Sequence, residues 1–161
     1  MAKDVYERRA KDVMSRDLVT IDAKDSAHDA LQLMAENKVA ALPVVDRQSR
    51  CVGFLSTSDF VEVTRDMDAG LTELENADEP LWGACLERLS DSIGHQSVTE
   101  LMSESVVSIG PDAPLFEVAS RMLREHVHRL PVVDSNDRLL GIISMTDILA
   151  AFVECAPART A

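Results

Sequence analysis

Apolar positions follow two different periods along this chain. Leu115, Val118, Ala119, Met122 and Leu123 recur at three- and four-residue spacing, which predicts a helix of about three turns. Pro114 is placed in its first turn, where a missing N–H costs nothing. Upstream, Val106 to Ile109 is a short β-branched run that predicts a strand, broken by Gly110-Pro111-Asp112. Downstream, apolar runs over Val127 to Asp134 and Leu139 to Ser144 flank the polar cluster Ser135-Asn136-Asp137, which predicts a hairpin. From Met145 to Cys155 helical spacing returns through Ile148, Leu149, Phe152 and Val153. The order is β-α-β-β-α.

The same order occurs earlier. Leu18 to Ile21 predicts a strand; Ala27, Ala30, Leu31 and Met34 predict a helix. Ala41 to Val45 and Cys51 to Ser56 predict a hairpin, and Phe60, Val61 and Thr64 begin a second helix. Leu42-Pro43-Val44-Val45-Asp46 returns as Leu130-Pro131-Val132-Val133-Asp134 at an offset of 88, as does Met14-Ser15 in Met102-Ser103. A constant offset means two copies of one unit. Each is too small for an ample core, so the two are expected to pack on each other. The fold class is mixed α+β, built as a pseudo-twofold pair of repeats. Boundaries are set at 1–10 for a leader, 11–65 and 99–155 for the repeats, 66–98 for an insert and 156–161 for a tail. Pro43 and Pro131 cannot donate to a ladder, which predicts an edge strand or a strand start.

The insert is acidic, with Asp66, Asp68, Glu73, Glu75, Asp78, Glu79, Glu87 and Asp91 against Arg88. Leu81, Trp82, Cys85, Leu86 and Leu89 have helical spacing after Pro80. They predict an amphipathic helix that either covers the module's own surface or docks a partner through Trp82.

The 161 residues are 46% apolar and 27% charged, as in an ordinary globular protein. A net charge of −12 argues against a nucleic-acid or anionic-membrane surface, yet leaves room for a small anion in a local basic pocket. Cys51, Cys85 and Cys155 show neither metal spacing nor a paired framework, and Cys51 is expected to be a buried thiol. With no apolar leader and no run of membrane-spanning length, a reducing cytoplasm is expected.

Each repeat ends its hairpin in Gly-apolar-apolar-Ser-x-x-Asp: Gly53 to Asp59 and Gly141 to Asp147. With apolar-Pro-Val-Val-Asp in the preceding strand and the β-α-β-β-α order, the chain resembles a tandem cystathionine-β-synthase (CBS) domain pair over about 11–61 and 99–151. The resemblance implies two clefts between the halves, an adenine nucleotide such as AMP, ADP or ATP or a related adenosyl compound as regulatory ligand, and pairing into a homodimer.

Two readings of Ser56-x-x-Asp59 and Ser144-x-x-Asp147 stand side by side. One is a capping box, with the Ser oxygen accepting an amide and the acid accepting the N-cap amide. The other is a ligand site. A short carboxylate at a helix start can accept both hydroxyls of a ribose, and free amides suit an anion or polar edge. The resemblance assigns the ribose to Asp59 and Asp147, with Ser56, Ser58, Ser144 and Thr146 beside it. It places Thr20 and Ser108 against the base. Val19, Val107, Leu42, Leu130, Phe54 and Ile142 are candidate adenine walls or simply core. The repeats diverge where a phosphate would go: His128-Arg129 stands where the first has Ala40-Ala41. A planar Arg fork and a proton-dependent His donor suit phosphate. Arg121 and Arg124 are expected to pair with nearby acids.

No nucleophile elbow, phosphate loop or metal spacing is present, and His95 with Cys85 makes no catalytic arrangement, so an enzyme is not expected. The leading expectation is a regulatory module that binds an adenine nucleotide and signals to a separate protein. The alternative is a structural dimerisation module without nucleotide.

Overall fold

A computed structural model of the protein describes residues 5–65, 90–104 and 106–155. The expected helix around Trp82, Cys85 and most of the acidic insert lie outside the described residues. The chain forms two compact units, one of residues 1–18, 48–51 and 107–161, the other of 19–47 and 52–106. These units do not coincide with the two repeats. In each, the lead-in of one repeat joins the hairpin and helices of the other.

In the first unit a short 3-10 turn, Val5–Glu7, and α1 (Ala10–Val13) precede the second repeat's elements. These are α5 (Leu115–Glu125), β4 (Arg129–Val133), β5 (Leu139–Ser144) and α6 (Met145–Cys155). β4 and β5 pair antiparallel. On the free side of β5, Ser15 and Ile142 exchange backbone hydrogen bonds of 2.8 and 3.0 Å. Val5, Ala10 and Met14 enter one core with Leu115, Val118, Met122, Leu130, Val132, Ile143 and Ile148. Lys11 also fastens the lead-in, donating to Asp112 at 2.5 Å.

The second unit repeats this plan. β1 (Ile21–Asp22), β2 (Ala41–Val45) and β3 (Cys51–Ser56) form a sheet in that order, β1 parallel to β2. α2 (Ala27–Asn37) and α3 (Thr57–Arg65) complete the first repeat, and α4 (Val98–Leu101) joins them from the second repeat's lead-in. Ser103 and Phe54 exchange bonds as Ser15 and Ile142 do. Ile93, Val98 and Leu101 are buried with Ala30, Leu31, Met34, Leu42 and Phe60.

The duplication extends to backbone detail. Positive φ occurs at Lys38 and His126, and at Ser49 and Asp137, each pair 88 apart. Lys38 and His126 end their helices in the left-handed conformation. Ser49 and Asp137 turn the two hairpins.

Several expectations need correction. The strand expected over 106–109 is one parallel bridge, Ile109 to Val132, and the one expected over 18–21 is only Ile21–Asp22. Pro43 and Pro131 explain both. Ile109 donates to Pro131 and accepts from Val133, so the next rung upstream needs an N–H from residue 131, and proline has none. The prolines therefore end a parallel ladder. Pro43 does not mark an edge, since β2 is central in its sheet, whereas Pro131 lies in β4, one of the two strands of its sheet. Pro114 is the N-cap of α5, with ψ at 149°, and so precedes the first turn. Cys51 opens β3 half-buried and is not a core thiol. Arg124 approaches Glu125 at 3.5 Å, but the buried Nε of Arg121 has no partner among the described residues.

Candidate functional site

The second repeat's candidate residues converge through backbone pairing. β4 and β5 are in register with Arg129 opposite Ser144, Leu130 opposite Ile143 and Pro131 opposite Ile142. Ser144 ends β5, and Met145, the first residue of α6, donates its N–H to the His128 carbonyl at 2.9 Å. That bond ties the start of α6 to the residue before β4. His128, Arg129, Ser144 and Asp147 thus share one corner of the first unit. Thr146, exposed, lies in the same first turn, and half-buried Ser108 immediately precedes the Ile109 bridge to β4.

Asp147 closes a capping box. Its Oδ2 accepts from the Ser144 N–H and hydroxyl, both at 2.7 Å, and its own N–H donates to Ser144 Oγ at 3.2 Å. Asp59 accepts likewise from the Ser56 N–H at 2.6 Å and hydroxyl at 2.9 Å. The two readings of the motif do not compete for the same atom. The cap occupies Oδ2, and Oδ1 of each aspartate accepts no hydrogen bond among the described residues. The cap is not diagnostic by itself, because Ser26 and Asp29 make the same three bonds at the start of α2. The Ser26–Asp29 pair also shows that an aspartate can close such a box, so the choice of Asp carries no functional signal alone.

What separates the Ser144–Asp147 corner from an ordinary cap is its neighbours. His128 and Arg129 are exposed, and neither side chain has a hydrogen-bond or ion-pair partner among the described residues. Two basic side chains thus stand beside a helix start, the positive end of its dipole. At the equivalent corner of the second unit, Thr57 donates to the Ala40 carbonyl at 2.9 Å, so the scaffold is the same. Exposed Ala40 and half-buried Ala41 take the basic positions there, with Ser58 exposed and Thr20 half-buried nearby in the chain.

Leu42 and Leu130 are wholly buried in their respective cores. Alternation along a strand turns them inward, so they offer a ligand backbone groups and no open apolar wall. Ile142, Phe54, Val107 and Val19 are half-buried and retain exposed surface. Periodicity missed the lead-in partners. Met14 Sδ and the Ser15 carbonyl lie 2.6 and 2.8 Å from where a Cβ on Gly141 would sit, and Met102 and Ser103 stand equally close to Gly53. The matched Met-Ser pairs at the repeat offset were the available signal. No cluster of three or more potential metal ligands occurs among the described residues. No described helix is long and apolar enough to cross a membrane.

Comparison with known proteins accords with this geometry. The profile of the CBS domain matches residues 10–66 and 98–154. An uncharacterised protein of Methanocaldococcus jannaschii is 29% identical over 153 residues, spanning 89% of this chain and 90% of its own. The gamma-3 subunit of 5'-AMP-activated protein kinase from Sus scrofa is 33% identical over 138 residues, or 86% of this chain, which spans 24% of that subunit. CBSX2 of Arabidopsis thaliana superposes with a TM-score of 0.72 at 27% identity, covering 91% of this chain and 94% of its own. CBSX2 in complex with AMP superposes at 0.69 and 26%, covering 91% and 96%.

Proposed function

This chain belongs to the CBS-domain family, which it carries as a tandem pair, and from that premise we propose that it is a regulatory module for an adenine nucleotide. The phosphorylated ligand, AMP, ADP or ATP, binds at the corner of Ser144, Asp147, His128 and Arg129. Asp147 Oδ1 accepts the ribose hydroxyls. Arg129 and His128 donate to phosphate, and Ser108, Ile142 and Thr146 border the nucleoside. The corner of Thr20, Leu42, Ser56, Ser58 and Asp59 takes an uncharged adenosyl group or remains empty. The module works as a homodimer in the cytoplasm and signals to a separate protein, without catalysis of its own.

One observation carries this reading. Exposed, unpartnered His128 and Arg129 adjoin a helix start whose carboxylate keeps one oxygen free, and the other repeat lacks both basic residues. The AMP complex of CBSX2 and the likeness to a kinase gamma subunit support the ligand class.

Isothermal titration calorimetry with AMP, ADP and ATP tests it on the wild type, Asp147→Ala and Asp59→Ala. Asp147→Ala is expected to abolish nucleotide binding while Asp59→Ala retains it. Equal loss from both variants, or from neither, refutes the assignment. A thermal-shift series separates this from a nucleotide-free structural module. Ligand at 100 times its Kd stabilises by about 2.7 kcal/mol, and no shift with any adenosyl compound favours the structural module.

A further inference from the structure

Arg50 and Arg138 are 88 residues apart and so occupy the same position in the two repeats. They also face each other. An isolated antiparallel bridge joins them, and both belong to the first unit. Their neighbours make its bonds: Cys51 donates to the Asp137 carbonyl at 3.1 Å, and Leu139 to the Ser49 carbonyl at 3.0 Å. That pattern makes the two arginines a non-hydrogen-bonded pair, in which Cα atoms approach to about 4.5 Å and side chains stand closest. Like charges set directly opposite destabilise a ladder. Both residues are exposed. Arg50 donates to the neutral Gln48 Oε1 at 3.1 Å. The Arg138 guanidinium has no hydrogen-bond or ion-pair partner among the described residues. The carboxylates of its own turn do not serve it. Asp134 Oδ1 accepts the backbone N–H groups of Asn136 and Arg138, and neither Asp134 nor Asp137 pairs with the guanidinium.

We infer that the Arg50–Arg138 pair binds a phosphate group, free or carried on a larger molecule, at a site separate from the nucleotide corner. The pair lies at the turn end of the β4–β5 hairpin, whereas Arg129 and Ser144 close the other end. Leu139 and Ser144 are five positions apart in β5, roughly 17 Å at the usual rise. A guanidinium presents its donors as a planar fork that fits two oxygens of one anion. One fork fills a carboxylate. A tetrahedral phosphate keeps further oxygens for the fork from the opposite strand. It also has twofold symmetry, which suits two equivalent residues brought face to face. A bound dianion converts an unfavourable like-charge pair into a favourable one.

Calorimetric titration of the full chain with inorganic phosphate and with phenyl phosphate, at ionic strength matched with potassium chloride, tests this. The parent carries Arg129→Gln, so that phosphate at the nucleotide corner does not contribute. Inorganic phosphate is expected to bind this parent, and binding of phenyl phosphate as well extends the site to phosphoryl groups on larger ligands. Adding Arg138→Gln or Arg50→Gln should weaken binding by about tenfold or more. Arg138→Lys keeps the charge, loses the fork and should weaken it too. No binding to the parent, undiminished binding after Arg138→Gln, or full affinity in Arg138→Lys overturns the site. Thermal melting supplies a second readout. In dilute chloride Arg138→Gln relieves the like-charge pair and should melt no lower than its parent. Phosphate should raise the parent's midpoint and leave the variant's unchanged, and an equal rise in both overturns the site. Arg138→Gln alone should bind AMP as the wild type does, so the two sites stand or fall separately. A loss of AMP affinity in that variant overturns a site distinct from the nucleotide corner.

Discussion

Arg129 lies directly opposite Ser144 in the β4–β5 ladder, so the basic residue and the helix cap are neighbours across two strands. Fifteen positions of chain separate them, and the hairpin removes that separation. The position equivalent to Arg129 in the first repeat, 88 residues earlier, is Ala41, which carries no charge.

The Arg129–Ser144 neighbourhood predicts selective loss of phosphate recognition. Arg129→Ala should weaken AMP binding by about 1.5–3 kcal/mol, the range for hydrogen bonds to charged groups. Adenosine affinity should be unchanged. Calorimetry with both ligands reads the difference, and a parallel loss of adenosine affinity contradicts a phosphate role.

Capping and ligand binding use different oxygens of Asp147, so they should separate on mutation. Ser144→Ala removes the hydroxyl bonds of the cap and should cost about 1 kcal/mol of stability. Chemical denaturation measures it. Ser26→Ala at the start of α2 is expected to cost a similar amount, since its bonds are the same. The two should differ in nucleotide affinity, which only Ser144→Ala can alter through its place at the site.

Gly141→Ala should destabilise the protein by about 1–3 kcal/mol through overpacking. The added Cβ meets flexible Met14 and the fixed Ser15 carbonyl. Met14→Ala in the same chain should therefore fail to restore stability, because the backbone clash persists. Thermal unfolding of single and double variants decides this, and full rescue would show that only the methionine obstructs.

Acid sensitivity follows from Asp29. The Ser26 hydroxyl, then the Ser26 N–H, hold its carboxyl below the ordinary value of 3.8. A depressed folded pKa contributes stability that is present above the unfolded value and lost as pH falls through the folded one. The stability gap between wild type and Asp29→Asn should thus be constant near neutrality and close below about pH 3.8. Unfolding midpoints across a pH series measure it.

Much of the architecture was legible from local pattern. β2, β3, β5, α5 and α6 occupy the expected runs because each buries one face at its own period, and the hairpins carry polar turns. The capping boxes were legible from three-residue spacing. The first strands were not. Whether an apolar run becomes a strand depends on its partner's N–H groups, and here the partner offers proline.

By itself the sequence determined the repeat, the element order, the caps and the charged difference between repeats at His128-Arg129. All of these are local, set by spacing, side-chain chemistry and backbone sterics. The tertiary structure alone decided that each lead-in completes the other repeat's unit. The bonds between Ser15 and Ile142 join residues 127 apart, and no periodicity records which strand edge a distant segment will cover. It also decided that Leu42 and Leu130 face the cores and that, among the described residues, the large exposed apolar side chains gather on one unit. Strand register and helix packing set those directions.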